Sequence, residues 1–366
     1  MVYSINKNII KRKNIIVHNM EDRNIHRFIY FYNFIKNRYL NSDKYLVIRK
    51  EKLSLIDLND KNTVIFHVSS KADFDNVFLN KIYYSKCKKV LFYIHDYSRN
   101  VFIKNTNIDI FFDAVFIIQN NLDKIYKEKF KNCCVSGYGF VPLITKETLL
   151  KRIRFRDKEN KIIFIGRITG RESNRLDLFR HLMVLSKKYP IDVEIICIPC
   201  KEYQEKDISG YGFKYSDKKK ETQEYYDKIN KCKYSLSPFG NSSGSWRFLE
   251  GMALGSISVS HNIDSFGMIG GFKDGENYIS IGEKTNFNDV EKFMNFISNS
   301  NNEKKLEEIA NKGRDIYDRF FTVDENTQAM NGKAPLVLIK RLNEKLDGFF
   351  DADLYKFEVG QSLIRR

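Results

Sequence analysis

The stretch Tyr234-Ser-Leu-Ser-Pro-Phe-Gly-Asn-Ser-Ser-Gly-Ser-Trp-Arg-Phe-Leu-Glu-Gly-Met-Ala-Leu-Gly-Ser-Ile-Ser-Val259 decides how this sequence folds. Its apolar start reads as a strand, Gly240–Ser245 as a small-residue loop, Ser245–Leu254 as a helix, Gly255 as a tight turn and Ile257–Ser260 as the next strand. The helix opens from the loop, so it offers free backbone N–H groups and a positive dipole end, both suited to a phosphate. Ser243 or Ser245 can cap it. Arg247 and Glu250 stand three residues apart, on neighbouring turns of one face. A guanidinium there can fork onto phosphate oxygens. A carboxylate beside it can accept hydrogen bonds from sugar or ribose hydroxyls. The plain alternative is an exposed Arg–Glu pair on an amphipathic helix; the loop before it and the strand after it favour binding.

Working outward, the same rhythm fills the chain: short apolar runs alternate with longer amphipathic segments, as in α/β units with a mostly parallel sheet. Strands are predicted at Asn14–Val17, Tyr45–Ile48, Val64–Val68, Val90–Ile94 and Ala114–Ile118, with helices near Ile25–Asn37, Ala72–Tyr84 and Leu122–Lys131. The second half repeats it, with strands at Ile162–Ile165, Val193–Cys197, Tyr234–Ser237, Ile257–Ser260 and Tyr278–Ile281. Its predicted helices are Asn174–Lys188, Glu221–Lys231, Ser245–Leu254, Asp289–Ser298 and Asn302–Phe320. The charge-rich stretch Lys151–Asn160 precedes a fresh strand and reads as a boundary. A first domain is expected over 1–150, a second over 151–335, and a helical segment over 336–366 that crosses back to the first. No glycine occurs before Gly137, so the first half lacks a Gly-rich phosphate loop. A bound phosphate belongs to the second domain.

Composition sets the wider bounds. A chain of 366 residues suits two cores. Only 5 prolines and no low-complexity tract argue against a largely disordered chain. The formal charge of +16 attracts polyanions, or simply reflects a lysine-rich surface. Basic clusters at Lys124–Lys131, Lys151–Lys158 and Lys218–Lys220 admit an anionic membrane surface as a partner, whereas no nucleic-acid-recognition signature is present. Cys87, Cys133, Cys134, Cys197, Cys200 and Cys232 show no zinc spacing and read as free thiols in a reducing compartment. Met1–Val17 lacks the apolar core of a signal peptide, and no run reaches the roughly 18 apolar residues of a membrane span. The expectation is a cytoplasmic protein, soluble or peripheral on a membrane.

Four segments resemble one family. Ser245–Val259 looks like the donor-binding signature of GT-B glycosyltransferases. Its Ser-x-Arg-x-x-Glu arrangement is similar to the exostosin-like enzymes. Its Glu-Gly-Met-Ala-Leu-Gly piece is similar to the Glu-Ala-Met-Ala-x-Gly of the glycogen-synthase-like group (glycosyltransferase group 1), in which the matching Glu contacts the donor ribose. That group carries an acidic residue eight positions earlier, where this chain has Ser242. Ile162-Ile-Phe-Ile-Gly-Arg-Ile-Thr-Gly-Arg171 resembles the phosphate-binding strand and loop that opens the second domain of the retaining enzymes. There, Arg171 takes the place of the usual lysine. Val90-Leu-Phe-Tyr-Ile-His-Asp96 ends a strand in His95-Asp96, where related enzymes often place a His; His67 is a weaker candidate of the same kind. Ser265–Tyr278 resembles the Gly-Gly…Asp-Gly-x-Asn stretch that follows, although Asp274-Gly275 is by itself a good turn.

The resemblance, covering about Lys89 to Phe320, implies an α/β chain of two Rossmann-like domains facing across a cleft (GT-B). It implies transfer of a sugar from a nucleotide sugar, the co-substrate, to a glycan, glycolipid or glycoprotein acceptor on the first domain. The donor-binding residues are then Gly166, Arg167, Arg171, Gly240, Asn241, Ser242, Ser243, Ser245, Arg247 and Glu250, and His95 and Asp96 are the catalytic candidates. Cationic side chains that neutralise the leaving diphosphate make a metal or other cofactor unnecessary. Asp73-Phe-Asp75 reads as the acidic first turn of a helix, and Asp351-Ala-Asp353 lies outside the matched region. The alternatives are a GT-B sugar-nucleotide epimerase or phosphorylase, or a non-enzymatic basic binding protein. Retention or inversion at the anomeric carbon stays open.

Overall fold

In a computed structural model, the described residues are 14–18, 33–34, 45–49, 57–60, 63–68, 83–93, 113–117, 134–136, 141–168, 173–198, 209–216, 221–238, 246–264, 268–282 and 286–346. The chain divides into two compact units, one of Met1–Gly137 with Asn326–Arg366, the other of Tyr138–Glu325.

The first unit carries strands β1 (Asn14–His18), β2 (Tyr45–Arg49), β3 (Thr63–Val68), β4 (Lys88–Tyr93), β5 (Ala114–Ile117) and β6 (Cys134–Ser136). They form one sheet in the order β2-β1-β3-β4-β5-β6, with every pair parallel. Their Val, Ile and Phe content is what a parallel sheet covered on both faces requires. The register Ile16↔Ile65 and Ile65↔Val90 sets the β-branched positions of neighbouring strands side by side. The predicted helices of this half lie largely outside the described residues.

The second unit holds β7 (Glu159–Arg167), β8 (Asp192–Ile198), β9 (Lys214–Tyr215), β10 (Cys232–Leu236), β11 (Ile257–Ser260) and β12 (Ile279–Ser280). The sheet order is β12-β11-β10-β7-β8-β9, again all parallel. The chain thus moves outward from β7 to β9, returns beside β7 as β10, and moves outward the other way. That order is the doubly wound one of dinucleotide-binding folds, and its switch point lies between β7 and β10. Ile162 to Ile165 on β7 are each at most 3% exposed. Successive strand side chains point to opposite faces, so both faces of β7 are covered. Each of those side chains contributes roughly 2 kcal/mol through burial.

The helices are α1 (Lys146–Leu150), α2 (Ser173–Leu185), α3 (Thr222–Lys231), α4 (Trp246–Ala253), α5 (Phe287–Ser298) and α6 (Glu303–Phe320) in this unit. The first unit adds α7 (Ala334–Leu346), which lies against β5. Among the described residues no helix is long and apolar enough to cross a membrane. Cys87 and Cys232 are buried free thiols, and Cys197 is buried.

Within the two six-stranded sheets, two strands were not anticipated, β6 and β9. Both lie at the outer edge of their sheets and are only three and two residues long. Runs this short leave no mark in the hydrophobic pattern. Asp274-Gly275 is the turn expected of it: Gly275 has φ +70, and Asp274 Oδ1 accepts the Ser280 N–H at 2.6 Å.

The charge-rich stretch 151–160 belongs to the second unit, and two of its cations are tied into it. Arg152 forks onto Asp318 of α6 at 2.7 and 2.5 Å. Lys158 is 5% exposed. Its ammonium donates to the Asn230 carbonyl, to Asn230 Oδ1 at 3.2 Å and to the Leu254 carbonyl at 3.0 Å. These acceptors stand at the carboxyl ends of α3 and α4, where a cation is favoured by the helix dipoles. Asn230 ties the rest of the stretch down by accepting the Ile153 N–H and donating to the Lys151 carbonyl.

Burial pushes the Lys158 amine down to about 7. Between that value and the ordinary lysine pKa of 10.5, the unfolded chain holds a proton that the folded chain has released, so the Lys158 contribution to stability rises with pH across that window. The slope is at most about 1.4 kcal/mol per pH unit. Urea unfolding at pH 7 and pH 9.5 is expected to show wild type gaining stability relative to Lys158→Met as the pH rises; equal gains in both proteins would refute this.

Candidate functional site

The carboxyl ends of β7 and β10, either side of the switch point, are built around one aromatic ring. Phe164 on β7 is fully buried. The Arg247 guanidinium, reaching over from α4, lies 4.5 Å from its centroid, and Nη2 donates to the Ile165 carbonyl at 2.9 Å. Gly166 is what makes room: a Cβ there would stand 2.4 Å from Arg247 Nη2 and 3.1 Å from the Phe164 ring edge. Arg175 of α2 approaches the same ring at 5.7 Å. Its Nη1 donates to the Arg167 carbonyl at 2.9 Å and its Nη2 to the Pro238 carbonyl at 3.2 Å, joining the ends of β7 and β10.

The two arginines singled out from sequence and described here are therefore not alike. Arg167, last residue of β7, has an exposed side chain with no hydrogen bond or ion pair among the described residues. Arg247 is half-buried, and among the described residues its only acceptor is the Ile165 carbonyl, its buried Nε has no partner and it makes no ion pair. A guanidinium held partly out of water without a counter-charge is a poised anion site.

Glu250, one turn after Arg247, is 6% exposed, so the alternative of a solvated Arg–Glu pair does not apply. Its Oε2 accepts the Tyr225 hydroxyl of α3 at 2.5 Å. Burial, followed by the Glu250 charge, pushes the Tyr225 hydroxyl well above its ordinary pKa, with Arg247 opposing. The helix carrying both residues reaches the sheet through Gly251, where a Cβ would stand 2.6 Å from Ser258 Oγ and 2.8 Å from Ser235 Cβ. Ser258 Oγ donates in turn to the Phe248 carbonyl at 2.5 Å. At the end of β11, His261 is buried, and burial followed by the charge of Arg175 pushes it down to about 4. It is neutral at pH 7.

Of the sequence-predicted residues, the structure brings Gly166, Arg167, Arg247 and Glu250 to this corner of the second unit. Arg171, Gly240, Asn241, Ser242, Ser243, Ser245, His95 and Asp96 lie outside the described residues, as do both Asp-x-Asp pairs and the side chain of His67. Sequence reasoning missed Arg175 and Tyr225. Arg175 carried a signal: a cation in the first turn of a helix runs against the dipole and needs another purpose. Tyr225 carried none, since the adjacent Tyr226 equally fits the buried face of α3. Among the described residues no group of His, Cys, Asp and Glu could hold a metal ion. A hollow of about 430 Å³ where Lys304, Lys305 and Lys312 face Glu276 and Glu308 shares no residue with the strand ends.

No family model matches the sequence, and comparison with curated proteins gives no match. The fold is similar to that of solved glycosyltransferase structures. A glycosyltransferase from Rickettsia africae is 13% identical, with 93% of this chain and 100% of that one covered and a TM-score of 0.53. HepE from Anabaena in complex with UDP is 11% identical over 92% of this chain and 100% of that one, with a TM-score of 0.51. The same protein in complex with UDP-glucose gives 11%, 92%, 99% and 0.50. These neighbours are of the GT-B class, and at such identities the likeness is one of fold.

The Gly166–Arg247 contact makes a test. Gly166→Ala is expected to cost about 1–3 kcal/mol, the usual range for overpacking. In an Arg247→Ala background the same change is expected to cost less than about 1 kcal/mol, because only the Phe164 ring edge remains to be displaced. Chemical denaturation of the four proteins reads the difference, and strict additivity would reject the contact.

Proposed function

We propose that this chain is a glycosyltransferase of the GT-B type that takes a nucleotide sugar as donor. One observation carries the proposal: Arg247, half-buried with no counter-ion among the described residues, and the exposed guanidinium of Arg167 both belong to the carboxyl end of β7, at the switch point. In open α/β sheets a ligand sits outside the carboxyl ends of the strands at the switch point, and these cations suit the diphosphate of a nucleotide sugar there.

In this assignment Arg167 binds the diphosphate directly, being exposed and free to move onto it. Arg247 supplies a fixed positive field, since its Nη2 is held by the Ile165 carbonyl and cannot swing away. The charge that develops on the leaving nucleoside diphosphate is thereby stabilised by groups already in place, without calling on a metal. Arg171 and the loop Gly240, Asn241, Ser242, Ser243 and Ser245 complete the phosphate cradle at the start of α4. Glu250 accepts from the donor ribose. His261, neutral and buried, adds no charge to the site. The acceptor, a glycan or glycoconjugate, is assigned to the first unit, with His95 and Asp96 as the groups that hold or deprotonate its hydroxyl. The UDP and UDP-glucose complexes of the Anabaena HepE fold neighbour make uridine nucleotides the first to try.

Thermal-shift titration with the diphosphates of uridine, guanosine, adenosine, cytidine and thymidine tests the donor site. One of them is expected to stabilise the wild type. Arg167→Ala is expected to raise its Kd at least about tenfold, the worth of one charge-assisted contact, while leaving the unliganded melting temperature unchanged. No stabilisation by any nucleotide at millimolar concentration would remove the proposal. Turnover of a nucleotide sugar with no second sugar acceptor would move it to an epimerase.

A further inference from the structure

Glu250 presents a problem of precision. A carboxylate on a helix of eight residues, 6% exposed, has to be aimed. The hydroxyl that bonds it comes from another helix, 25 residues earlier in the chain. We infer that Tyr225 is a positioning residue for the donor ribose, its hydroxyl fixing the Glu250 carboxylate in the orientation that receives the ribose hydroxyls. This rests on the donor-site proposal above.

The 2.5 Å separation between Tyr225 Oη and Glu250 Oε2 is that of a hydroxyl donating to a charged oxygen. Burial and the Glu250 charge keep the tyrosine protonated, so it donates throughout the physiological range. The charged and titratable groups around it are Glu250 and Arg247 from α4 and Tyr226 from its own helix. The tyrosine is itself held. Its ring packs against Tyr226 at 5.5 Å, and the Tyr226 hydroxyl donates to the Leu143 carbonyl at 3.3 Å. The carboxyl end of α3 is fixed by Lys158. Glu250 is thus set from two sides, by Gly251 seating its helix on the sheet and by Tyr225 from the neighbouring helix.

A hydrogen bond that merely stabilised the fold would affect every ligand alike. A positioning bond affects only ligands that carry ribose hydroxyls. The test is calorimetric titration of wild type, Tyr225→Phe, Glu250→Gln and the double variant. Each is titrated with uridine diphosphate, or whichever diphosphate the panel selects, and with its 2′,3′-dideoxy analogue. Tyr225→Phe is expected to weaken the ribonucleotide about 5- to 20-fold and the dideoxy form less than about twofold, with no further loss in the Glu250→Gln background. Equal weakening of both nucleotides, or no change in either, overturns the inference while the donor site stands. If the wild type binds no nucleoside diphosphate, the donor-site proposal fails and the ribose role fails with it. Melting temperatures of the four proteins, measured without ligand, show whether each variant is folded before it is titrated.

Discussion

The close approach of one helix to the second sheet is the constraint on which the site depends. At Gly251 the helix Trp246–Ala253 leaves no space for a Cβ against Ser235 and Ser258. A side chain there would lift the helix by a few tenths of an ångström or more. Arg247 reaches the Ile165 carbonyl, and Glu250 meets Tyr225, only from that seat. The buried serine that donates to the Phe248 carbonyl fixes the same helix from the sheet side.

A second glycine does the same work at the end of β7. Gly166 has no side chain because the Arg247 guanidinium occupies the place of its Cβ. The two glycines and the arginine form a chain of contacts from β10 and β11, through α4, to β7. Arg175 closes it by joining the Arg167 and Pro238 carbonyls. Positive charge is thereby concentrated where the doubly wound order leaves the strand ends open. Burial holds His261 neutral at the neighbouring strand end, so a proton there does not compete with those guanidiniums at physiological pH.

Legibility followed burial. Strands β7, β8, β10 and β11 lie inside a covered parallel sheet, so each demanded an apolar run and each was recognised from it. The strands β6 and β9, three and two residues long, are too short to leave a pattern. In the segment 151–160, which reads from sequence as a boundary, charge alone does not tell which side chains are buried. Here Lys158 and Arg152 are satisfied by helix-end carbonyls and by Asp318, partners that only the folded chain supplies. In the candidate site, Gly166, Arg167, Arg247 and Glu250 are singled out by sequence because each stands in a local motif. Arg175 and Tyr225 act across elements, and their partners lie 63 and 25 residues away.

The sequence by itself determined the alternation of strands and helices in the second unit, and the place of Arg247 and Glu250 on neighbouring turns of α4. Those are consequences of periodicity and of local chemistry, which act over a few residues. Only the tertiary structure decided the strand orders, and with them the switch point between β7 and β10. It alone decided that Arg247 is anchored while Arg167 is free, and that a tyrosine from another helix holds Glu250. The reason is that hydrogen bonds between elements depend on distances set by packing, and those distances are carried by no single stretch of the chain.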